Sequence, residues 1–317
     1  MRKTFASAIV FAAFMLALCG SVLADSSALI LSGVPGDDEH AAKFNKWSDT
    51  TRKLLVDKFG FAPDHVILLS DKNTAKAEIL KAFEKLKTQL KPSDTFFLFM
   101  IGHGSYDTDY KFNIFGPDFT GAEYNQLLNG LKVGRIVIVN GSSASGGALE
   151  TMGGKNRIII TATKSGHEAN EPTFYEYFLQ ALQNPAADED KDGKISIWEA
   201  FKFATDADDR FYKEEGRLAT EHPELSDNGA PMVDSKAKEP PALARVITFQ
   251  VDRPVTVSDP KLQAMLNERH DIEQKIEALK IDKAITPQDA YDKQMEDLLI
   301  QLATKNQEIK AQEGKKP

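Results

Sequence analysis

The sequence predicts an α/β fold, a mainly parallel central sheet flanked by helices, followed by a C-terminal helical hairpin. Three observations predict it. Residues 95–101 (TFFLFMI) and 135–139 (RIVIV) are short, largely apolar runs rich in β-branched and aromatic residues, the pattern of strands buried on both faces. Runs of this kind alternate with segments whose apolar residues recur at helical spacing, as in βαβ units. From residue 256 onward the strand pattern stops and a heptad stripe takes over.

The elements follow in order. The first strand, 28–32 (ALILS), breaks at Gly33, Pro35 and Gly36. Asp37, Asp38, Glu39 and His40 then open a helix through Leu55, and their acidic charge suits the positive end of its dipole. A second strand covers 65–70, and Asn73 and Thr74 are expected to cap a helix carrying Ile79, Leu80, Phe83 and Leu86, which ends near Pro92. The strand from Thr95 delivers His103, residues 112–118 make a short return, and 121–131 form the next helix. The strand from Arg135 delivers Ser143; a strand at 157–163 and a helix at 173–182 follow, the helix turning Phe174, Tyr177 and Phe178 to a core.

The polar stretch 206–241, broken by Pro223, Pro231, Pro240 and Pro241, is expected to be mostly irregular, and 242–251 (ALARVITFQV) reads as one more strand. Beyond a linker at 254–260, Leu262, Met265, Ile272, Ile276 and Leu279 form one helical stripe. Tyr291, Met295, Leu298, Leu302 and Ile309 continue it after Thr286 and Pro287, a cap and first-turn pair. An antiparallel hairpin of this kind buries its stripe against itself, the main domain or a second copy, so self-association is one expected use of it.

Three regions result: 1–24, a signal peptide; 25–255, the sheet domain; and 256–317, the helical hairpin or coiled-coil region. Arg2 and Lys3 precede an apolar stretch at 5–18, and Val22-Leu23-Ala24 has the form of a signal-peptidase site. The stretch falls short of the roughly 20 apolar residues that span a bilayer, so a cleaved signal is expected, with a secreted or periplasmic product not attached to the membrane. A lipoprotein signal at Leu16-Ala17-Leu18-Cys19 is the alternative, disfavoured because Leu18 is bulky where such sites want Gly, Ala or Ser. The formal net charge is −8, and loss of Arg2 and Lys3 takes it to −10, which offers no footprint for nucleic acid or anionic lipid. Cys19 is the one cysteine and leaves with the signal, so neither a disulfide nor a thiol nucleophile is expected in the mature chain.

In an open α/β sheet the ligand crevice lies beyond the carboxyl ends of the strands, so the loops carrying His103 and Ser143 should face each other there. Neighbouring strands are about 4.8 Å apart, close enough for two such groups to act on one bond. One loop reads His103-Gly104-Ser105 and the other Ser142-Ser143-Ala144-Ser145-Gly146. Over roughly 28–204 the chain resembles the caspase and legumain cysteine peptidases (peptidase C13 type), in which His-Gly closes one strand and small-Cys-x-Ser-Gly closes the next. The resemblance implies a caspase-like sandwich and a dyad of His103 with position 143. Here Ser143 stands where the family has its nucleophilic Cys, so the dyad is degenerate. It also implies an oxyanion hole from the backbone amides of Gly104 and Ser143. Legumains carry N-x-R-H in the first loop; with His40 aligned, Asp37 and Glu39 replace the Asn and Arg, and the resemblance then implies loss of the anionic-substrate pocket. Asp37 is the carboxylate placed nearest to orient His103 for a serine mechanism. Read without the resemblance, 142–145 is a helix-capping turn of small residues.

A second stretch, 188–199 (DEDKDGKISIWE), fits the twelve-residue EF-hand calcium loop at every diagnostic position. Oxygen ligands would come from Asp188, Asp190, Asp192, the Lys194 carbonyl and Glu199, with Gly193 at the sharp turn and Ile195 in the core. Calcium is therefore the expected cofactor.

Other motifs fall away. His167-Glu168-Ala169-Asn170-Glu171 has Glu where a zinc-peptidase helix has its second His, and Gly153-Gly154-Lys155-Asn156 lacks the spacing and hydroxyl of a P-loop. His40, His65, His222 and His270 have no partner spacing and read as surface or satisfied core histidines. Three functions are then expected from different classes. The first is an exported pseudopeptidase binding a peptide or protein ligand in the crevice without cutting it. The second is a hydrolase using Ser143 and His103, and the third is a calcium-dependent scaffold working through the loop and the hairpin.

Overall fold

The strand Thr95–Ile101 (β3) shows how the sequence builds the sheet, because all seven of its residues are buried. Side chains alternate across a strand, so Phe97, Phe99 and Ile101 enter one apolar core while Phe96, Leu98 and Met100 enter another. Each fully buried Phe, Leu or Ile contributes about 1.5–3 kcal/mol. The computed structural model describes residues 25–251, 257–281, 283 and 286–314. The expected signal peptide with Cys19, and the Pro254 part of the linker, lie outside the described residues.

β3 sits between Ser26–Ser32 (β1) and Arg135–Asn140 (β7), parallel to both. Val66–Ser70 (β2) lies outside β1, and Arg157–Thr161 (β8) then Glu224–Asp227 (β9) lie outside β7, which makes a six-stranded sheet of order β2-β1-β3-β7-β8-β9. β9 alone runs antiparallel. One face is covered by Asp38–Lys53 (α1), Phe174–Gln183 (α5), Ile197–Glu214 (α6) and Ala242–Val246 (α7), through Phe44, Trp47, Phe178, Phe201 and Leu243. The other is covered by Lys76–Gln89 (α2), Gly121–Asn129 (α3) and Leu149–Met152 (α4), through Ile79, Phe83, Tyr124, Leu128 and Met152. The result is the caspase-like sandwich, a mainly parallel sheet between helices, with the C-terminal hairpin appended. A three-stranded antiparallel sheet of Gly104–Tyr106 (β4), Tyr110–Phe112 (β5) and Phe119–Thr120 (β6) stands at the carboxyl end of β3.

Several expectations need correction. Residues 242–251 do not form a strand: α7 occupies 242–246 because both Asp227 and the sequence favour it. The buried Asp227 carboxylate accepts the N–H groups of Leu243 and Ala244, and Ala-Leu-Ala-Arg is a strong helix former. The stretch contributes one isolated bridge, between Ser196 and Thr248. The stretch 206–241 is not mostly irregular, since α6 runs on to Glu214 with Ala207, Asp208 and Tyr212 buried, and β9 closes the sheet. β9 offers one large apolar residue, Leu225, too little for a strand pattern; Val233 exchanges two backbone hydrogen bonds with Leu225 and covers that edge. Thr74 does not cap α2. Its hydroxyl donates to Asp71 O and closes a 3-10 turn, so α2 starts at Lys76.

Pro260–Ile281 (α8) and Gln288–Glu313 (α9) form the expected antiparallel hairpin, with Leu262 and Leu266 near the start of α8 clustered on Ile309 near the end of α9. Pro287 sits at the N-cap of α9, not at its first helical position. Ile272, Ile276 and Leu279 are buried, while Tyr291, Met295, Leu298 and Leu302 are half-buried.

Candidate functional site

The chain passes from β1 to β2 on one side and to β3 on the other, which makes the carboxyl ends of β1 and β3 a topological switch point, the place where sheets of this kind form their ligand crevice. His103 lies there, in the turn between β3 and β4. Met100 of β3 is paired with Asn140 of β7, so His103 and Ser143 each lie three residues beyond that pair, at one edge of the sheet. The two loops touch through backbone: a Cβ on Gly104 would stand 2.5 Å from the carbonyl oxygen of Ser143. Only glycine permits that approach.

His103 Nε2 lies 3.1 Å from the carbonyl oxygen of Pro35 in the loop after β1. A carbonyl only accepts, so Nε2 carries the hydrogen and the neutral ring presents Nδ1 as a lone pair. The ring is packed edge-on against Phe44 and His40, with centroids 5.1 and 4.7 Å away. Asp37, the expected orienting carboxylate, does not contact His103. It caps α1 through the His40 N–H, and its other oxygen lies 2.7 Å from His40 Nδ1. The first of these hydrogen bonds, then the second, lowers the Asp37 pKa. The orienting group is instead a backbone carbonyl, which no side-chain motif announces.

Ser143 is 4 % exposed, and its hydroxyl makes no hydrogen bond among the described residues. Its backbone N–H likewise has no acceptor among them. Gly104 stands opposite Phe112, next to the bonded pair of Asn113 N–H and His103 O, which leaves it at a non-hydrogen-bonded position of that ladder. The two amides implied as an oxyanion hole are thus both without a ladder partner. The neighbouring serines do not cap a helix. Ser142 Oγ is held by Asn140 Oδ1 at 2.8 Å and the Tyr110 hydroxyl at 2.7 Å, all three residues fully buried. Ser145 Oγ pairs with Thr163. Between them Ala144 adopts a left-handed conformation, φ 55°, and its N–H donates to Glu168 O. A non-glycine residue there costs about 1–2 kcal/mol, so the turn that presents Ser143 is held by its surroundings.

The wall of the crevice is the segment between β8 and α5. Glu171 lies 3.0 Å from His40 Nε2 and 2.6 Å from Lys43 Nζ. Its burial raises the pKa, but Lys43 and His40 outweigh this and hold it low; His40 is raised, first by the Asp37 hydrogen bond. Glu168 accepts from the N–H and Nδ1 of His222. His40 and His222, read from the sequence as surface or satisfied core histidines, both face carboxylates, and His65 faces Asp25 at 3.3 Å; Glu171, Glu168 and Asp25 are distant in sequence from these rings, so no spacing revealed them. Behind the wall, Asp208 and Glu221 form a buried carboxyl pair around Thr173, again with no local motif.

At the second stretch, oxygens of Asp188, Asp190 and Asp192 lie within 4.8 Å of one another. Gly193 takes φ 85° and Ile195 is buried, as the loop pattern requires. The bonds Ile197 N–H to Ile247 O and Phe249 N–H to Ile195 O anchor the loop on the segment after α7. Burial first, then the neighbouring carboxylates, raises the Asp190 pKa. Three converging carboxylates fit a hard cation with oxygen ligands. Glu199 is turned elsewhere: one oxygen closes a capping box with Ser196, and the other accepts from the N–H groups of Glu189 and Asp190.

No helix among the described residues is long and apolar enough to cross a membrane. The chain matches no family model, and no curated protein matches it. A solved structure of a protein from Geobacter sulfurreducens is similar at a TM-score of 0.46 and 16% identity, over 72% of this chain and 100% of that one.

Proposed function

We propose that this is an exported caspase/legumain-like pseudopeptidase that holds a peptide or protein segment in the crevice without cutting it. The observation that carries the reading is Ser143, a hydroxyl in the place of a thiol, with no hydrogen bond to His103. A thiol with a free pKa near 8.5 yields a thiolate beside an imidazole, whereas a serine needs its base within hydrogen-bond reach. The unpartnered amide of Ser143 and the ladder position of Gly104 leave donors for a peptide carbonyl, so binding outlasts turnover. The test is a mixed peptide library incubated with wild type, Ser143→Ala, Ser143→Cys and His103→Ala. Binding without hydrolysis is expected in wild type, with turnover appearing in Ser143→Cys.

One observation favours a hydrolase using Ser143 and His103: the Pro35 carbonyl already orients the imidazole as the third group of a serine mechanism would. Hydrolysis by wild type that is lost in both Ser143→Ala and His103→Ala would establish it. The loop at 188–199 is proposed to take calcium, Asp188, Asp190, Asp192 and the Lys194 carbonyl supplying oxygens and Glu199 exchanging its backbone partners for the ion.

A further inference from the structure

We propose that the segment 162–173 is a proton-operated clamp, which closes the crevice wall onto the Ser143 loop in mild acid and releases it as the pH rises. The proposal concerns regulation of the crevice and rests on the peptide-binding reading only for what the clamp controls.

The wall and the Ser143 loop are in backbone contact. Ala144 N–H donates to Glu168 O and Gly146 N–H to Thr163 Oγ1, both within 2.9 Å. Gly146 is so close that a Cβ there would stand 2.1 Å from Ser165 N. Movement of this segment therefore moves a wall of the site.

The wall is held at its far end by two latches, each of which needs a proton. In the first, the two ring nitrogens of His40 face two carboxylates, Asp37 at 2.7 Å and Glu171 at 3.0 Å. A neutral imidazole has one N–H, so only the protonated ring can donate to both. Lys43 on α1 also pairs with Glu171, and His103 abuts the His40 ring.

In the second latch, the Thr173 hydroxyl lies 2.7 Å from Asp208 Oδ1 and 2.9 Å from Glu221 Oε1. Glu221 further accepts from the N–H groups of Thr173 and Phe174 and from the Tyr212 hydroxyl. Asp208 and Glu221 are 1 % and 2 % exposed, with no cation in ion-pair distance among the described residues. One hydroxyl hydrogen cannot serve two carboxylates, and two bare charges cannot share such a site; the pair holds a proton. Of the other titratable groups around it, Asp209, Tyr177 and Tyr212 carry no positive charge, and Arg217, 5.9 Å from the Tyr212 ring, makes no ion pair with either carboxylate. Between the latches Glu168 faces His222 and Lys164, with Glu224 nearby.

The signs agree. Burial, then Glu221, pushes Asp208 up to about 7, so its contribution to the clamped form is full below the ordinary carboxylate value and is lost as the pH rises to about 7. His40 is raised above its ordinary value near 6.5, so its contribution is full below that value and is lost above it. Asp37 and Glu171 are lowered and fail only in stronger acid. The clamp is tightest near the ordinary carboxylate value, about pH 4, and loosens steadily as the pH rises through neutrality.

The test is amide hydrogen exchange on the full chain at pH 5.5 and 8.5, corrected for the intrinsic pH dependence of exchange. Protection of 164–173 is expected to fall at least tenfold at the higher pH while β3 and β7 stay unchanged. Asp208→Asn supplies an N–H in place of the shared proton and should flatten the fall. His40→Gln, on the exposed first turn of α1, should lower protection at pH 5.5 and serves if the buried variant does not fold. Equal protection at both pH values in folded wild type, or a fall untouched by both variants, overturns the clamp. Binding of the mixed peptide library at the same two pH values is scored separately. No binding at either pH, with the exchange difference intact, sinks the peptide-binding reading and spares the clamp.

Discussion

The Nε2 of His103 faces the carbonyl oxygen of Pro35 at 3.1 Å, and this contact sets the chemistry open to the imidazole. It assigns the hydrogen to Nε2 and turns a basic Nδ1 away from that carbonyl. Nitrogen-15 histidine spectra of the folded protein in alkaline solution should show the Nε2–H tautomer of His103. An Nδ1–H signal would show that Pro35 does not orient the ring.

The approach of the Ser143 loop to the crevice wall leaves no room at Gly146, where an added Cβ would meet backbone atoms of Lys164 and Ser165 at 2.3 and 2.1 Å. Backbone gives way less easily than a side chain. Gly146→Ala should lower stability by about 1–3 kcal/mol, read as a shift of the urea midpoint at unchanged slope. An unchanged midpoint would show that the two loops are not held together as described.

The three carboxylates of Asp188, Asp190 and Asp192 repel one another around one point. Millimolar calcium should therefore raise the melting temperature, by about 2.7 kcal/mol of stability at a hundredfold excess over Kd. Asp192→Ala should remove the effect. A melting temperature indifferent to both calcium and chelator, with no calorimetric heat, would refute the site.

The hairpin shares no residue with the two sheet cores; its own cluster of Leu262, Leu266 and Ile309 stands apart. A chain ending after Val251 should keep a cooperative transition and the far-ultraviolet signal of the sheet domain. Global unfolding of the shortened chain would place α8 in that domain's core.

What the sequence determined by itself is the sheet and its two faces. Runs such as 96–101 and 136–139 are apolar at every position, and only strands covered on both sides bury such runs, so their place beside each other was legible. The carboxyl-end position of His103 and Ser143 followed from the same rule, and the convergence of the three aspartates was written in their spacing. Tertiary structure decided what depends on groups far apart in the chain. Leu225 became a strand because β8 offered an open edge, and 242–246 became a helix because Asp227 supplied its cap. The histidine partner came from a backbone carbonyl, which every residue has and no motif marks. The latches of the wall join Asp37 and His40 to Glu171, and Thr173 to Asp208 and Glu221. Their protons are set by burial and by neighbours that meet only when the chain is folded, which is why no local pattern could have announced them.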